Sequence, residues 1–427
     1  MITKGDDYPL HQTPDPVAYT GASRNFYDRY FFNGYDRDGE VFFALALGVY
    51  PYVNVMDGAF SVIIDGIQHN SYASKVMHME RLDTEVGPIK IEIIEPLRVL
   101  RIVCDDKENR ISADLTFTGR TPAHEEPRFL RRNGSQIMMD VTRMMQNGVW
   151  TGWFEVKGKK IEVQPENFRG TRDRSWGIRG IGEADPQPNP YAMHPQFYWL
   201  WAPLNFEGFG THYFVNDDKD GISWNSNGVA VPLIDDKDRD DKDRDDKDRD
   251  DKDRDDKDRD DKDRDDKDRD DKDRDDKDRD DKDRDDKDRD DKDQDDKDQD
   301  IEQMSRFSSK LEFVPGTRHA KRAEIEFTSA SGEDWHFELT TRWNFNMKGI
   351  GYGHAHWGHG SYHGELETGY DEFVVAEIEP LDLHVQAMCD VLLTTSDGEH
   401  RGQGVLEQIV FGPHAPSGFK EQLDMAK

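Results

Sequence analysis

Cysteine is scarce: Cys104 and Cys389 are the only two in 427 residues. That argues against a disulfide framework, and without CxxC or CxxH spacing it argues against a cysteine-built zinc site. Two isolated thiols fit a reducing compartment. No run approaches the roughly 18 apolar residues of a membrane span. The first stretch, MITKGDDYPLHQTPDPVAY, has no apolar core of a secretion signal, so the expected location is the cytoplasm. Basic charge is also short, with 58 Lys and Arg against 91 acids and a net −33. Nucleic acid and anionic membrane need a basic footprint, so neither is an expected partner. HExxH, G-x-S-x-G and P-loop patterns are missing. GYGHAHWG is glycine-rich, but no helical pattern follows it, so it is not a dinucleotide fingerprint.

About half of the charge is local. From Asp235 to Asp300 the motif DDKDR recurs eleven times and DDKDQ twice, giving 40 aspartates against 24 Lys and Arg and no apolar residue. A period of five matches neither 3.6 nor 2, so the tract builds no apolar face. A disordered tether or a fraying single helix is expected, tolerated inside a domain because loop-closure cost grows slowly with length.

Elsewhere the chain reads as short strands with almost no helical periodicity. In IKIEIIEP, Ile89, Ile91 and Ile93 share one face, the period of a half-buried sheet. Val41–Tyr50, VFFALALGVY, reads as a strand buried on both sides. Asp57-Gly58 and Asp65-Gly66 each read as hairpin turns. Asn216, Asp218, Asp220 and Gly221 match the opening of a calcium loop, but Asn227 stands where its bidentate Glu is required, so this reads as a turn. Met138–Gln146 fits a short helix or a strand. Gly349–His356 and Ser361–Thr368 are predicted strands. A meander of nine or ten strands buries one face most easily by closing into a barrel. The predicted architecture is all-β: an irregular arm (1–24), a first barrel (25–180), and a second barrel (181–234 and 301–427) interrupted by the insert (235–300).

Between the halves lies FRGTRDRSWGIRG, Phe168–Gly180, which places Arg169, Arg172, Arg174, Arg179, Asp173 and Trp176 among glycines. Guanidinium forks need acceptors or ring faces. The segment is either a clamp between the halves or the polar end of a ligand cavity. A second dense stretch, YGHAHWGHGSYHG (Tyr352–Gly364), holds His354, His356, His359 and His363. On a strand, His354 and His356 would share a side. They read as metal ligands, as acid/base or ligand-orienting groups, or as hydrogen-bonding structure of a tight turn. A cupin-like His-x-His would want a carboxylate where Gly360 and Ser361 stand. Tyr198, Trp199, Trp201, Tyr213, Tyr352 and Trp357 add an aromatic set suited either to a core or to an apolar cavity with a few polar fingers.

Three features carry a resemblance: the WG-x-R segment within Ser175–Arg179, the aromatic strand Gln196–Pro203 and the WGHG turn Trp357–Gly360. With two successive β-rich halves, the chain resembles the two-domain lipocalin-like superfamily that includes the carotenoid 1,2-hydratases, and is nearer to its bacterial branch. The resemblance implies two lipocalin-like barrels and a hydrophobic ligand such as a terpenoid. It implies, as in some relatives, chemistry by protonation without a cofactor; no metal is assigned.

The resulting expectation is a hydrophobic small molecule bound at the barrel junction. A cofactor-free hydratase, isomerase or cyclase would use Asp173, His354 or His356 as proton donor. Arg172, Arg174, Trp176, Arg179, Tyr198, Trp201, Tyr213, Trp357, His359 and His363 would line the site. Paired arginines lower a neighbouring carboxyl's pKa, which favours histidine as the acid. The alternatives are a non-catalytic lipid or terpenoid carrier and a histidine-ligated metalloenzyme. Oligomeric state is left open.

Overall fold

The computed structural model describes residues 2–9, 23–183, 196–234 and 301–427. The acidic insert lies outside the described residues. The described strands belong to one compact unit, Met1–Leu233 with Asp300–Lys427. The fold is all-β, two lipocalin-like antiparallel sheets curled into barrels. Only short 3-10 turns interrupt the strands among the described residues.

The first half supplies β1 (Phe26–Asp36), β2 (Phe42–Tyr50), β3 (Val55–Ile64), β4 (Ile67–Val76), β5 (Glu85–Val86) and β6 (Ile89–Glu95). It continues with β7 (Val99–Asp106), β8 (Ile111–Gly119), β9 (His124–Asn133), β10 (Gln136–Val156), β11 (Lys159–Val163) and β12 (Phe168–Ile178). The second half supplies β13 (Phe197–Asn205), β14 (Phe209–Asp217), β15 (Ser223–Pro232), β16 (Glu302–Gln303) and β17 (Ser305–Phe313). After these come β18 (Ala320–Thr328), β19 (Asp334–Asn346), β20 (Leu366–Val374), β21 (His384–Thr395) and β22 (Gly398–Phe411).

The first sheet runs β20-β4-β3-β2-β1-β12-β10-β8-β7-β6-β5, with β9 and β11 also on β10. One strand of the C-terminal half, β20, therefore completes the edge beside β4, pairing Leu366 with Lys75 through Val374 with Ile67. The other edge folds back so that Val86 packs over Gly58, where a Cβ would meet it at 2.7 Å. The second sheet runs β16-β15-β14-β13-β22-β21-β19-β18-β17. Its two edges are joined through Met304, whose N–H donates to Gly228 O at 2.9 Å.

Three apolar cores result. Phe32, Phe43, Phe117 and Trp150 pack inside the first barrel, and Leu200, Tyr213, Phe327 and Phe337 inside the second. The third core, with Phe31, Phe42, Tyr72, Trp199, Trp201 and Phe345, lies where the outer faces of the two barrels meet. β2 and β3 are buried at every position, because one face fills a barrel and the other fills this junction. Hence VFFALALGVY is a continuous apolar run instead of an alternating one.

Several local expectations are corrected. Asp57-Gly58 is not a turn but lies inside β3, and the turn falls one stretch earlier, with Asn54 at φ 60°. Asp65-Gly66 is a hairpin turn, with φ 52° and 77°. Met138–Gln146 is strand, the outer half of the 21-residue β10. Gly349–His356 is not a strand: a 3-10 turn (Met347–Ile350) leads into a loop with Gly351 and Gly353 at φ 92° and 64°. Strand structure resumes only at Leu366. The Asp218 turn binds no chelating Glu; its carboxylate caps the N–H groups of Asp220 and Ile222 at 2.9 Å.

Candidate active site

The junction holds a cavity of about 120 Å³. Its wall is built from cross-strand rows on the outer face of the first barrel. One row is Glu126, Arg143, Ser175, Arg29, Gly48 and Asp57, each paired with the next across β9, β10, β12, β1, β2 and β3. Opposite charges are thereby set near one another on a buried surface. Arg143 pairs with Glu126, and Arg29 reaches Asp57 at 3.4 Å across Gly48. Gly48 is needed there, since a Cβ would stand 2.4 Å from the Tyr50 hydroxyl that donates to Asp57 at 3.0 Å.

The adjacent row is His124, Met145, Asp173, Phe31, Ala46 and Ala59. Asp173 therefore lies between Met145 and Phe31, with its carboxyl on the cavity wall. No described residue donates a hydrogen bond to it. Burial, reinforced by the negative charges of Glu126 and Glu407, raises its pKa from 3.8 to about 7 against the pull of Arg143 and Arg29.

The second barrel closes the cavity with Phe197, Trp199 and Trp201 of β13, His384 of β21, and Glu407 and Ile409 of β22. Glu407 is the opposite case to Asp173. Burial pushes its pKa up, but hydrogen bonds from His384 (2.8 Å), Gln386 (2.7 Å) and Trp199 (3.3 Å) outweigh this and hold it below the ordinary value. Two carboxyls facing one cavity are thus pushed to different protonation states, the usual arrangement of an acid and a base.

The far end holds Arg179, Tyr27 and Tyr352. The Arg179 guanidinium lies 4.3 Å from the centre of the Tyr27 ring and 5.5 Å from that of Tyr352. Its Nη2 donates to Nδ1 of His359 at 2.9 Å, while His359 Nε2 donates to Ile350 O at 2.9 Å. Burial, with the charges of Arg29 and Arg179, keeps His359 well below the ordinary histidine pKa, so the ring is neutral and orients the arginine. Behind the other wall, His124 and His212 touch at 3.3 Å, and burial lowers His124 to about 4.

The predicted residues divide by strand parity. Asp173 and Arg179 reach the cavity, as does Trp201 from β13. Arg172 and Arg174 face the opposite side of β12. There Arg172 binds Asp7 (2.5 and 3.2 Å) and Gln146 (2.8 Å), and Arg174 binds Asp28 (2.7 Å) over the Tyr30 ring. They clamp the N-terminal stretch and cannot hold a ligand oxygen in the junction. Because their charge is turned away, Asp173 is raised and not lowered. Trp176 does not line the cavity, nor do Tyr198 and Tyr213, which belong to the second barrel's core. Trp357 stacks on Tyr72 at 5.4 Å, behind the wall. His354 binds Asp371 (3.0 Å). His356 binds Glu367 (3.1 Å), and His363 donates to His356 O (2.8 Å). These three histidines lie away from the cavity. His356, His363 and Glu367 form the group among the described residues that is spaced to hold a metal ion.

Sequence reading missed Arg29, Arg143, Glu407 and His384. The available signal was a charge inside an apolar strand, as in FYDRYFF and VLEQIVF.

The chain belongs to a family of unknown function (DUF8625), whose model matches residues 2–257 and 287–420. No curated protein matches it. Among solved structures it is similar to kievitone hydratase from Nectria haematococca, at 9% identity and TM-score 0.41, covering 90% of this chain and 88% of that one. It is similar also to CghA, solved with Sch210972, at 10% identity and TM-score 0.45, covering 96% of both chains. A second CghA structure gives 11% identity and TM-score 0.44, covering 93% of both chains. No helix among the described residues is long and apolar enough to cross a membrane.

Proposed function

We propose that the protein is a cofactor-free lyase or isomerase acting on a hydrophobic small molecule in the junction cavity, with Asp173 as general acid. The observation that carries this reading is a buried carboxyl on the wall of an aromatic cavity, without a hydrogen-bonding partner among the described residues and with its pKa raised to about 7. Such a group is half protonated at neutral pH and is a donor of suitable strength. The Asp173 O–H bond breaks as a C–H bond forms at one end of an alkene or enol, and the other carbon becomes electron-poor. Trp199, Trp201 and Phe129 border that position, and aromatic faces stabilise positive charge. Water then adds and returns its proton to the Asp173 carboxylate, or a neighbouring C–H loses its proton to the same oxygen. Either path regenerates the acid. Glu407, held ionised on the same cavity wall, orients the incoming water in this scheme. Two buried, unpaired cysteines are consistent with a reducing, cytoplasmic setting.

The test is turnover of a panel of terpenoid, steroid and polyketide-like alkenes and enones, followed by mass spectrometry. At least one should gain water or isomerise with the wild type, and none with Asp173→Asn. Ligand retention without conversion by either protein would leave a carrier and overturn the catalytic assignment.

A further inference from the structure

Arg179 differs from the other two guanidiniums on the cavity wall. Of the three guanidiniums on the wall, Arg143 has Glu126 and Arg29 has Asp57. Among the described residues no carboxylate lies within ion-pair distance of Arg179. The neutral ring of His359 takes one N–H, and the guanidinium lies beside the Tyr27 and Tyr352 rings, interacting with the Tyr27 hydroxyl as well. Glu407, the remaining carboxylate on the wall, instead accepts from His384, Trp199 and Gln386. Guanidinium is a fork of five donors that matches a carboxylate or enolate, and a buried charge without a counter-ion is costly. This one is braced by a histidine and faces a cavity.

We infer that Arg179 is a counter-ion site for the ligand, and that the ligand is an amphiphilic organic anion. Its anionic oxygen, a carboxylate or enolate, pairs with Arg179 between Tyr27 and Tyr352, and its apolar body lies among Phe129, Trp199 and Trp201. The inference rests on the cavity being the ligand site. Asp173 and Arg179 are six residues apart on one extended segment, roughly 20 Å between Cα atoms. The anionic head and the reacting carbon are thus several bonds apart, not adjacent. The protein's net charge of −33 repels anions in general, so anion preference must arise from a local site.

The experiment compares two fluorescent probes that share one ring skeleton: anionic 8-anilinonaphthalene-1-sulfonate and neutral N-phenyl-1-naphthylamine. The wild type should bind the anion roughly tenfold or more tightly than the neutral probe, the range of a charge-assisted hydrogen bond. Arg179→Met should erase the preference while leaving neutral-probe binding within about twofold. Arg179→Lys keeps the charge without the fork and should retain part of it, which guards against a folding defect in the first variant. Equal binding of the two probes to the wild type, or a preference that survives Arg179→Met, overturns the counter-ion site even if catalysis by Asp173 is real. Failure of the neutral probe to bind refutes the cavity reading and, with it, this inference.

Discussion

Replacing Asp173 with Asn should make the protein more stable, and by an amount that depends on pH. The folded-state pKa is raised, from 3.8 to about 7. Below about pH 3.8 the carboxyl is protonated in both folded and unfolded chains, so its titration costs nothing. As pH rises toward 7 the unfolded chain releases its proton while the folded chain retains it, and stability falls. Above about 7 the penalty is complete. The rise spans roughly three tenfold steps, at about 1.36 kcal/mol each, which sets a ceiling of about 4 kcal/mol. The side chain faces a cavity that admits water, so we expect about 1–3 kcal/mol. Asn is isosteric and neutral at every pH, so it removes the penalty without opening a hole. Urea unfolding of both proteins at pH 5 and pH 8.5 measures the difference. The Asn variant should be favoured by more at pH 8.5 than at pH 5. A constant difference across that interval, or a variant destabilised more at the higher pH, refutes the reasoning that Asp173 is held near neutrality.

Arg143→Met leaves Glu126 buried without its counter-charge, so a stability loss of about 3–5 kcal/mol is expected in chemical denaturation, reduced at low pH as Glu126 protonates. Gly48→Ala puts a methyl 2.4 Å from the Tyr50 hydroxyl. It should cost about 1–3 kcal/mol and weaken neutral-probe binding, because the Arg29–Tyr50–Asp57 contacts brace the wall. A thermal melt and a titration check both.

The fold was legible because strands announce themselves through period-two burial, as at Ile89 and Ile91, and through an unbroken apolar run where two faces are covered, as at Val41–Tyr50. Asp173 and Arg179 were legible as members of a dense polar segment. Their separation from Arg172 and Arg174 was not used, although alternation along a strand requires it: even positions turn to the clamp and odd ones to the junction. The histidine loop misled because its glycines take positive φ and break the strand that would have aligned His354 with His356. The charges that act on Asp173 come from β9, β10, β1 and β22, and only sheet register and the packing of one sheet on the other bring such distant residues together. The place of β20 in the first sheet was likewise invisible, since local pattern identifies a strand but not its neighbour.

The most direct test of the central claim is the pH dependence of kcat/KM on whichever alkene or enone the wild type converts. If Asp173 delivers the proton, the rate should be level in acid and fall tenfold per pH unit above about 7, and Asp173→Asn should be inactive throughout. A rate that stays level through pH 9, or that survives in Asp173→Asn, would contradict it.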